Sequence, residues 1–220
     1  MAGYSLFIRT PWERLGLWQR TRTPWGLMGL LSVLVLTVSH LVFQQWLLMP
    51  PCEECVYIRF AFFVMATGAL FTVIAPERLG LRLTGYGLIV SVAVDGIAHC
   101  ITLMNIHTAL HSGNPGALFG VKLCSLTPQF PGGLPLHEWW PALFQPGGPC
   151  GADMPVVPPD AVLGEWRQSV IDGILDAGGW YLFPHWQIGT MAECAAMLFL
   201  VTAGWTLTAM AADLFARRCD

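Results

Sequence analysis

The sequence predicts an all-α membrane protein: a bundle of four transmembrane helices with both termini in the cytoplasm and a long second periplasmic loop. Three observations predict it, namely an apolar composition, four long apolar windows and a lopsided distribution of Lys and Arg. Of the 220 residues, 55% are hydrophobic and 11% charged, and the mean hydropathy is +0.56; soluble domains hold about 45–50% apolar and about 25% charged residues. The windows lie at about Trp25–Leu48, Val56–Ala75, Leu83–Asn105 and Gln187–Ala211. Each reaches the roughly 20 helical residues needed to cross a hydrocarbon core about 30 Å thick. The first holds no Asp, Glu, Lys or Arg, and the others hold one charge each, at Arg59, Asp95 and Glu193. The whole chain, 1–220, therefore reads as one integral membrane domain, with outer loops at about 49–55 and 106–186.

Orientation follows from the basic residues, because short loops rich in Lys and Arg stay in the cytoplasm. Arg9, Arg14, Arg20 and Arg22 precede the first window, Arg78 and Arg82 join the second to the third, and Arg217 and Arg218 follow the fourth. On the other side, the segment Ile106–Trp186 has only Lys122 and Arg167 as basic residues. Glu53, Glu54, Glu138, Asp153, Asp160, Glu165, Asp172 and Asp176 make that face acidic. An acidic face argues against nucleic acid and favours a partner with a basic contact surface. A signal peptide is the rival reading of the first window. That window is too long and lacks a small-x-small cleavage site, and Leu47-Leu48-Met49-Pro50-Pro51 reads as a helix stopped by proline. No repeat or low-complexity tract is present, and the Pro- and Gly-dense stretch Pro146–Asp160 reads as extended or loop.

Topology sorts the seven cysteines. Cys52, Cys55, Cys124 and Cys150 fall on the outer side, where disulfides persist. Cys100 and Cys194 lie within apolar helices and Cys219 in the cytoplasmic tail; these three read as small hydrophobes or idle thiols. Cys-x-x-Cys is compatible with zinc, haem attachment or redox chemistry. Haem attachment requires His directly after the second cysteine, and Val56 stands there. A structural zinc site requires a second closely spaced ligand pair, whereas Cys124 and Cys150 are 26 positions apart; no metal site is expected. Redox and structural disulfides remain. A bridge between Cys52 and Cys55 closes almost no loop and would restrict the unfolded chain little, which points toward chemistry. Cys55 lies at the expected start of the second helix, where free N–H groups and the dipole favour thiolate. Arg59 follows one turn later on the same face; it either snorkels to the headgroups or serves a thiolate or ligand oxygen.

Met49-Pro50-Pro51-Cys52-Glu53-Glu54-Cys55-Val56-Tyr57-Ile58-Arg59 resembles the Pro-Cys-x-x-Cys-x-Tyr-x-Arg signature of the DsbB/DsbI family of membrane disulfide-bond formation proteins, its DsbI branch most closely. Cys124-x25-Cys150, enclosing Phe130-Pro131-x-x-Leu134-Pro135-Leu136-x-x-Trp139-x-Pro141-x-x-Phe144, is similar to the family's second loop. The resemblance covers about Leu30 to the C-terminus and implies a multi-pass protein of the bacterial inner membrane with its redox loops in the periplasm. It implies that Cys52 and Cys55 are the quinone-coupled pair, with Arg59 beside a ubiquinone or menaquinone. Cys124 and Cys150 become the pair that meets a periplasmic thioredoxin-fold dithiol oxidase of the DsbA/DsbL type. The implied activity is a quinone-dependent thiol oxidoreductase that passes electrons from Cys124/Cys150 to Cys52/Cys55 to quinone.

The chain departs from the family's best-known branch in three places. Glu53 and Glu54 replace apolar residues, and their charge is expected to disfavour nearby thiolates. Ile58 stands where that branch has an acid, so Arg59 lacks a neutralising neighbour. The stretch Gly151–Gly179 is long, and Trp166, Val170 and Ile174 recur at helical spacing, which predicts an extra amphipathic turn or helix. Leu134–Phe144 reads as a membrane-surface segment or an ordinary loop helix, with Trp139, Trp140, Leu143 and Phe144 on one side and His137 and Glu138 on another. His40 with Gln44 reads as cross-helix packing, Asp95 with His99 as packing or pocket lining, and Glu193 as a satisfied carboxylate. The rival from another class is a non-enzymatic receptor or scaffold whose loop is stapled by disulfide. A vitamin K epoxide reductase type of protein also combines a helical bundle with Cys-x-x-Cys, but places the motif near the end of a late helix.

Overall fold

A computed structural model describes residues 11–118 and 124–218; Arg9, Lys122 and Cys219 lie outside them. The helices are α1 (Pro11–Trp18), α2 (Thr23–Val38), α3 (Glu53–Ile74), α4 (Leu79–His111), the single turns α5 (Leu136–Trp139) and α6 (Pro141–Phe144), α7 (Glu165–Asp176) and α8 (Met191–Arg218). A π-helical stretch, Ser39–Trp46, carries α2 onward. Among the described residues there is no strand, only an isolated bridge between Phe183 and Ile188. Four helices are long and apolar enough to cross a membrane, over Thr23–Trp46, Glu53–Ile74, Leu79–His111 and Met191–Asp213.

Local chemistry explains where these helices begin and end. The first span ends at Trp46 with Leu47 as its C-cap, and Leu48, at φ 56°, turns the chain just before Pro50 and Pro51. Helix α3 begins at Glu53 rather than Val56, because Cys52 is its N-cap and the Cys52 Sγ accepts the Cys55 N–H. Helix α4 runs past the expected Asn105 to His111 and stops before Gly113, whose φ of 65° supplies the left-handed turn. Helix α8 begins at Met191 rather than Gln187. Thr190 and Glu193 form a capping box there: the Glu193 Oε2 accepts the N–H groups of Gly189 and Thr190, both at 2.8 Å, and the Thr190 hydroxyl accepts the Glu193 N–H.

In the bundle α3 packs against α2 and α4, and α4 packs against α8. Lipid is as apolar as leucine, so association depends on close packing rather than on hydrophobicity. Gly85 supplies that closeness: a Cβ there would meet the Thr72 hydroxyl and stand 2.5 Å from the Gly68 carbonyl. Phe62 stacks on Phe199 with ring centroids 4.4 Å apart, within a core that includes Trp25, Met65 and Ile89. Leu27, Leu30, Leu34, Leu70, Val94 and Leu200 are exposed on the perimeter, as a lipid-facing surface requires.

An ion-pair cluster closes one end. The Asp213 carboxylate accepts from Arg82 Nη2 at 2.7 Å and from Arg20 Nη2 at 3.2 Å, and Arg82 also donates to the Pro76 carbonyl. Two arginines that mark the basic end in sequence thus share one carboxylate from α8, which offsets the cost of burying Arg82.

At the other end the long loop packs back onto the bundle. Leu136, Phe144 and Phe130 are buried with Val56 of α3, while Trp139 and Trp140 stay half exposed. The expected one-sided arrangement is therefore corrected: Phe144 points inward because Phe130 and Val56 offer it an apolar seat, and the two tryptophans point out. The expected extra helix is present as α7, but its buried residue is Ile171, flanked by Val170 and Ile174 against Leu47 and Met49, and Trp166 is exposed. Arg167 of α7 donates to the carbonyls of Trp46 at 2.6 Å and Gln45 at 3.0 Å, placing a cation at the carbonyl end of the first span.

Gly85→Val should lower stability by about 1–3 kcal/mol through overpacking, whereas Gly87→Ala, where a Cβ meets nothing within 4 Å, should change it little. Thermal unfolding of the two variants in detergent checks this.

Candidate active site: two disulfides and an apolar cavity

The first turn of α3 carries the Cys52–Cys55 disulfide. Cys52 is the N-cap and Cys55 the third helical residue, so both sulfurs lie where unpaired N–H groups create a positive end. A second disulfide joins Cys124 to Cys150. The two pairs are far apart in sequence, yet all four cysteines belong to one apolar cluster. Cys52 and Cys150 are buried, and Cys55 and Cys124 are half-buried.

Separate sets of hydrogen bonds bring the two strands of the loop to α3. On the Cys150 side, the N–H groups of Gly147 and Gly148 donate to the Pro51 carbonyl at 2.9 and 3.2 Å. Gly148 lies so close that a Cβ would stand 2.6 Å from the Pro50 carbonyl. On the Cys124 side, the Ser125 N–H donates to Glu53 Oε2 at 2.7 Å, the Tyr57 hydroxyl donates to Glu53 Oε1 at 3.0 Å, and the Gln129 N–H donates to the Tyr57 hydroxyl at 2.9 Å.

Glu53 and Glu54 are both buried, which changes what their charge does. Glu53 is spent on the loop. Glu54 Oε2 lies 2.6 Å from His99 Nδ1, and the His99 ring packs on Tyr57 with centroids 4.7 Å apart. His99 Nε2 lies 3.7 Å from Asp95. Asp95 and His99, open between packing and pocket lining in the sequence, thus join a cross-helix network and are absent from the wall of the cavity described next.

A cavity of about 600 Å³ opens beside the Cys52–Cys55 disulfide. Its wall is mainly apolar, including Leu34, Phe62, Leu103 and Leu198, and it contains Cys52, Cys55 and Arg59. Arg59 is 6% exposed. Its Nη1 donates to Gln44 Oε1 at 2.8 Å and to the Leu143 carbonyl at 3.1 Å, and its Nη2 donates to the Ser39 carbonyl at 3.0 Å. Oxygen dipoles, rather than a carboxylate, hold this buried charge, which answers the missing acid at Ile58. A guanidinium has five N–H donors, and these bonds occupy three of them. Ser39 and Gln44 lie in the π-helical stretch, a backbone irregularity frequent at functional sites.

The remaining sequence candidates divide plainly. Gln44 does bond across helices, to Arg59, and His40 sits 3.3 Å from it. Cys100 is buried in the core, and Cys194 lines the cavity as a half-buried free thiol. Glu193 caps α8. The Gln44–Arg59 contact and the Glu53 bond to the loop had no sequence signal, since each joins distant segments. The Thr190-x-x-Glu193 box did have one.

A family model described as disulfide bond formation protein DsbB matches residues 21–209. The chain belongs to the DsbB family. Relatives named protein-disulfide oxidoreductase DsbI include one from Salmonella typhimurium, 38% identical over 205 residues, covering 90% of this chain and 91% of the relative. Another, from Escherichia coli O1:K1, is 37% identical over 209 residues, covering 91% and 94%. A putative DsbI from Campylobacter jejuni is 40% identical over 194 residues, covering 84% and 71%. This DsbB-family chain is accordingly a multi-pass membrane oxidoreductase of thiol–disulfide chemistry, and its cysteine pairs fit that role.

Glu53→Gln in this DsbB-family chain replaces an acceptor by an amide that cannot serve both the Ser125 N–H and the Tyr57 hydroxyl through oxygen. Hydrogen bonds to charged groups contribute about 1.5–3 kcal/mol, so amide exchange at Ser125 should quicken by roughly 10- to 100-fold. Hydrogen exchange measured by mass spectrometry checks this.

Proposed function

We propose that the chain reoxidises a periplasmic thioredoxin-fold dithiol oxidase of the DsbA/DsbL type and passes the electrons to a membrane quinone, ubiquinone or menaquinone. The observation that carries the proposal is the Cys52–Cys55 disulfide in the wall of an apolar cavity that also holds Arg59, with the Cys124–Cys150 disulfide packed into the same cluster. In this reading residues 1–220 act as a single domain of the bacterial inner membrane, the basic end facing the cytoplasm and the disulfides the periplasm.

Exchange proceeds by thiolate attack on a disulfide sulfur. A partner thiolate attacks Cys124, forming a mixed disulfide and releasing Cys150 as thiolate. The half-exposure of Cys124 against the burial of Cys150 supports this order. Cys150, held near α3 by the Pro51 contacts, attacks Cys52 and releases Cys55 as thiolate into the positive end of α3. The partner's second thiol attacks its own sulfur in the mixed disulfide and leaves oxidised, freeing Cys124. Cys124 then attacks Cys150, re-forming Cys124–Cys150 and leaving Cys52 and Cys55 reduced. Their reoxidation to a disulfide releases two electrons and two protons.

Quinone, when bound, supplies a two-electron, two-proton acceptor. The cavity fits such a group: its wall is mainly apolar, its volume is in the range of small-molecule sites, and that wall contains Arg59, whose side chain is an N–H donor. Arg59 would orient the acceptor and steady the Cys55 thiolate. The deciding experiment mixes the purified chain with a reduced dithiol partner and a soluble quinone and follows quinone absorbance. Reduction that requires both the partner and the cysteines supports the proposal; no reduction would leave a disulfide-stapled scaffold.

Cys124→Ala should abolish partner oxidation while the Cys52–Cys55 bridge still forms, because that bridge is built within the first turn of α3; thiol trapping reads both. Arg59→Met should weaken quinone affinity and quinone-dependent turnover by at least tenfold, while mixed-disulfide formation at Cys124 persists. Unchanged quinone kinetics would reduce Arg59 to a packing role.

A further inference from the structure

Reducing a quinone in an apolar cavity requires protons as well as electrons, and the wall holds few groups that can carry one. Its ionisable side chains are Arg59, Asp153, Cys194 and the disulfide pair itself. Arg59 is fully protonated under ordinary conditions, and Cys194 is a half-buried thiol whose Sγ is turned to the Gly189 carbonyl. Asp153 is the carboxyl group in the wall.

Asp153 belongs to the long outer segment to which the family resemblance assigns no role. Pro149, Ala152, Met154, Pro155 and Val156 line the cavity with it. Two backbone bonds fix this roof: the Val156 N–H donates to the Leu48 carbonyl at 2.8 Å, and the Trp180 N–H to the Asp153 carbonyl at 2.9 Å. Asp153 itself sits at φ 46°, a left-handed conformation that Asp and Asn tolerate and that most residues resist. The residue is half-buried and lines the cavity.

We infer that Asp153 is the proton donor to the electron acceptor in this cavity. The inference rests on the proposal that the cavity receives a quinone. As the Cys52–Cys55 bond forms, the two thiols give up two electrons to the acceptor and release two protons. One thiol proton passes to one acceptor oxygen and the other leaves to solvent. Asp153 protonates the second oxygen and takes a replacement from outer water, so the sum is dithiol plus quinone to disulfide plus hydroquinone.

The surroundings suit the task. Burial pushes the Asp153 carboxyl up to about 6, and His111 at the end of α4 partly opposes the shift. The charged form of Asp153 in turn helps to raise the Tyr181 phenol, whose shift comes first from burial and lastly from Glu193 of α8. His111 is the charged group that bears on the Asp153 carboxyl, and Tyr181, on which Asp153 and Glu193 both act, touches His107, whose ring stacks on His111; Arg59 and Cys194 share the cavity wall. His111 is exposed, and its Nε2 lies 2.9 Å from the Gly178 carbonyl oxygen, which can only accept, so a titratable ring at the loop surface bears on the carboxyl. The acid form prevails below the shifted value and is lost as pH rises through it.

The test uses the full chain and Asp153→Asn, a near-isosteric change compatible with the left-handed backbone. Without quinone, infrared titration of the wild type should show a carboxyl band that disappears near pH 6 and is missing from the variant. With quinone, the variant should bind it within twofold of the wild type and exchange normally with the partner. Its single-turnover quinone reduction should fall at least tenfold, the scale of general acid catalysis, and should lose the decline through pH 6; Asp153→Glu should recover part of the rate. Unchanged reduction, or loss of quinone binding in the variant, would each overturn the donor role. Wild-type protein that binds no quinone would instead overturn the reading of the cavity beneath it.

Discussion

The Cys52 Sγ accepts the Cys55 N–H 3.2 Å away, and this one cap decides where α3 starts and therefore where everything else at the site lies. With the helix beginning at Glu53, the two cysteines occupy its first turn, Arg59 falls one turn beyond Cys55, and the side chains of Glu53 and Tyr57 fall one turn apart on a shared face. That face receives the Cys124 strand of the loop through Ser125 and Gln129. A start at Val56 would have left the Cys-x-x-Cys motif in a flexible turn, with no fixed relation to the cavity.

Burial converts charges at the site from surface features into connectors. A buried carboxylate must be hydrogen-bonded, and Glu53 meets that demand with two partners from different parts of the chain, while Glu54 meets it with His99 of α4. Arg59 meets it with Gln44, Ser39 and Leu143, drawn from the first span and the loop. Each charge therefore joins elements whose packing in lipid receives no hydrophobic drive. At the opposite end Asp213 does the same for Arg20 and Arg82.

The long loop completes the cavity rather than merely hanging over it. Helix α7 seats Ile171 against Leu47 and Met49, and Arg167 holds the carbonyl end of the first span. Between the Cys150 disulfide and α7 the chain carries Pro155, Pro158 and Pro159, which disfavour a helix, and Ala152, Asp153, Met154, Pro155 and Val156 line the cavity together with residues of α2 and α8. The segment least explained by family resemblance thus supplies part of the wall beside the disulfide.

Hydropathy and segment length were enough to read the four helices, since span length is set by the bilayer and by the rise of a helix. Spacing alone left Cys-x-x-Cys open between redox and structural roles; the family resemblance carried by Cys-x-x-Cys-x-Tyr-x-Arg implied the chemistry, and the Thr190-x-x-Glu193 box is a local pattern that went unread. What sequence could not reach are contacts between segments far apart along the chain. The distances from Glu53 to Ser125, Arg59 to Gln44 and Glu54 to His99 depend on how helices and loop pack, and no periodicity encodes them. The inward turn of Phe144, the choice of Ile171 as the buried face of α7 and the place of Asp153 in the cavity wall were likewise decided by tertiary structure. In each case several local arrangements satisfy the same pattern, and only the neighbour across the fold selects one.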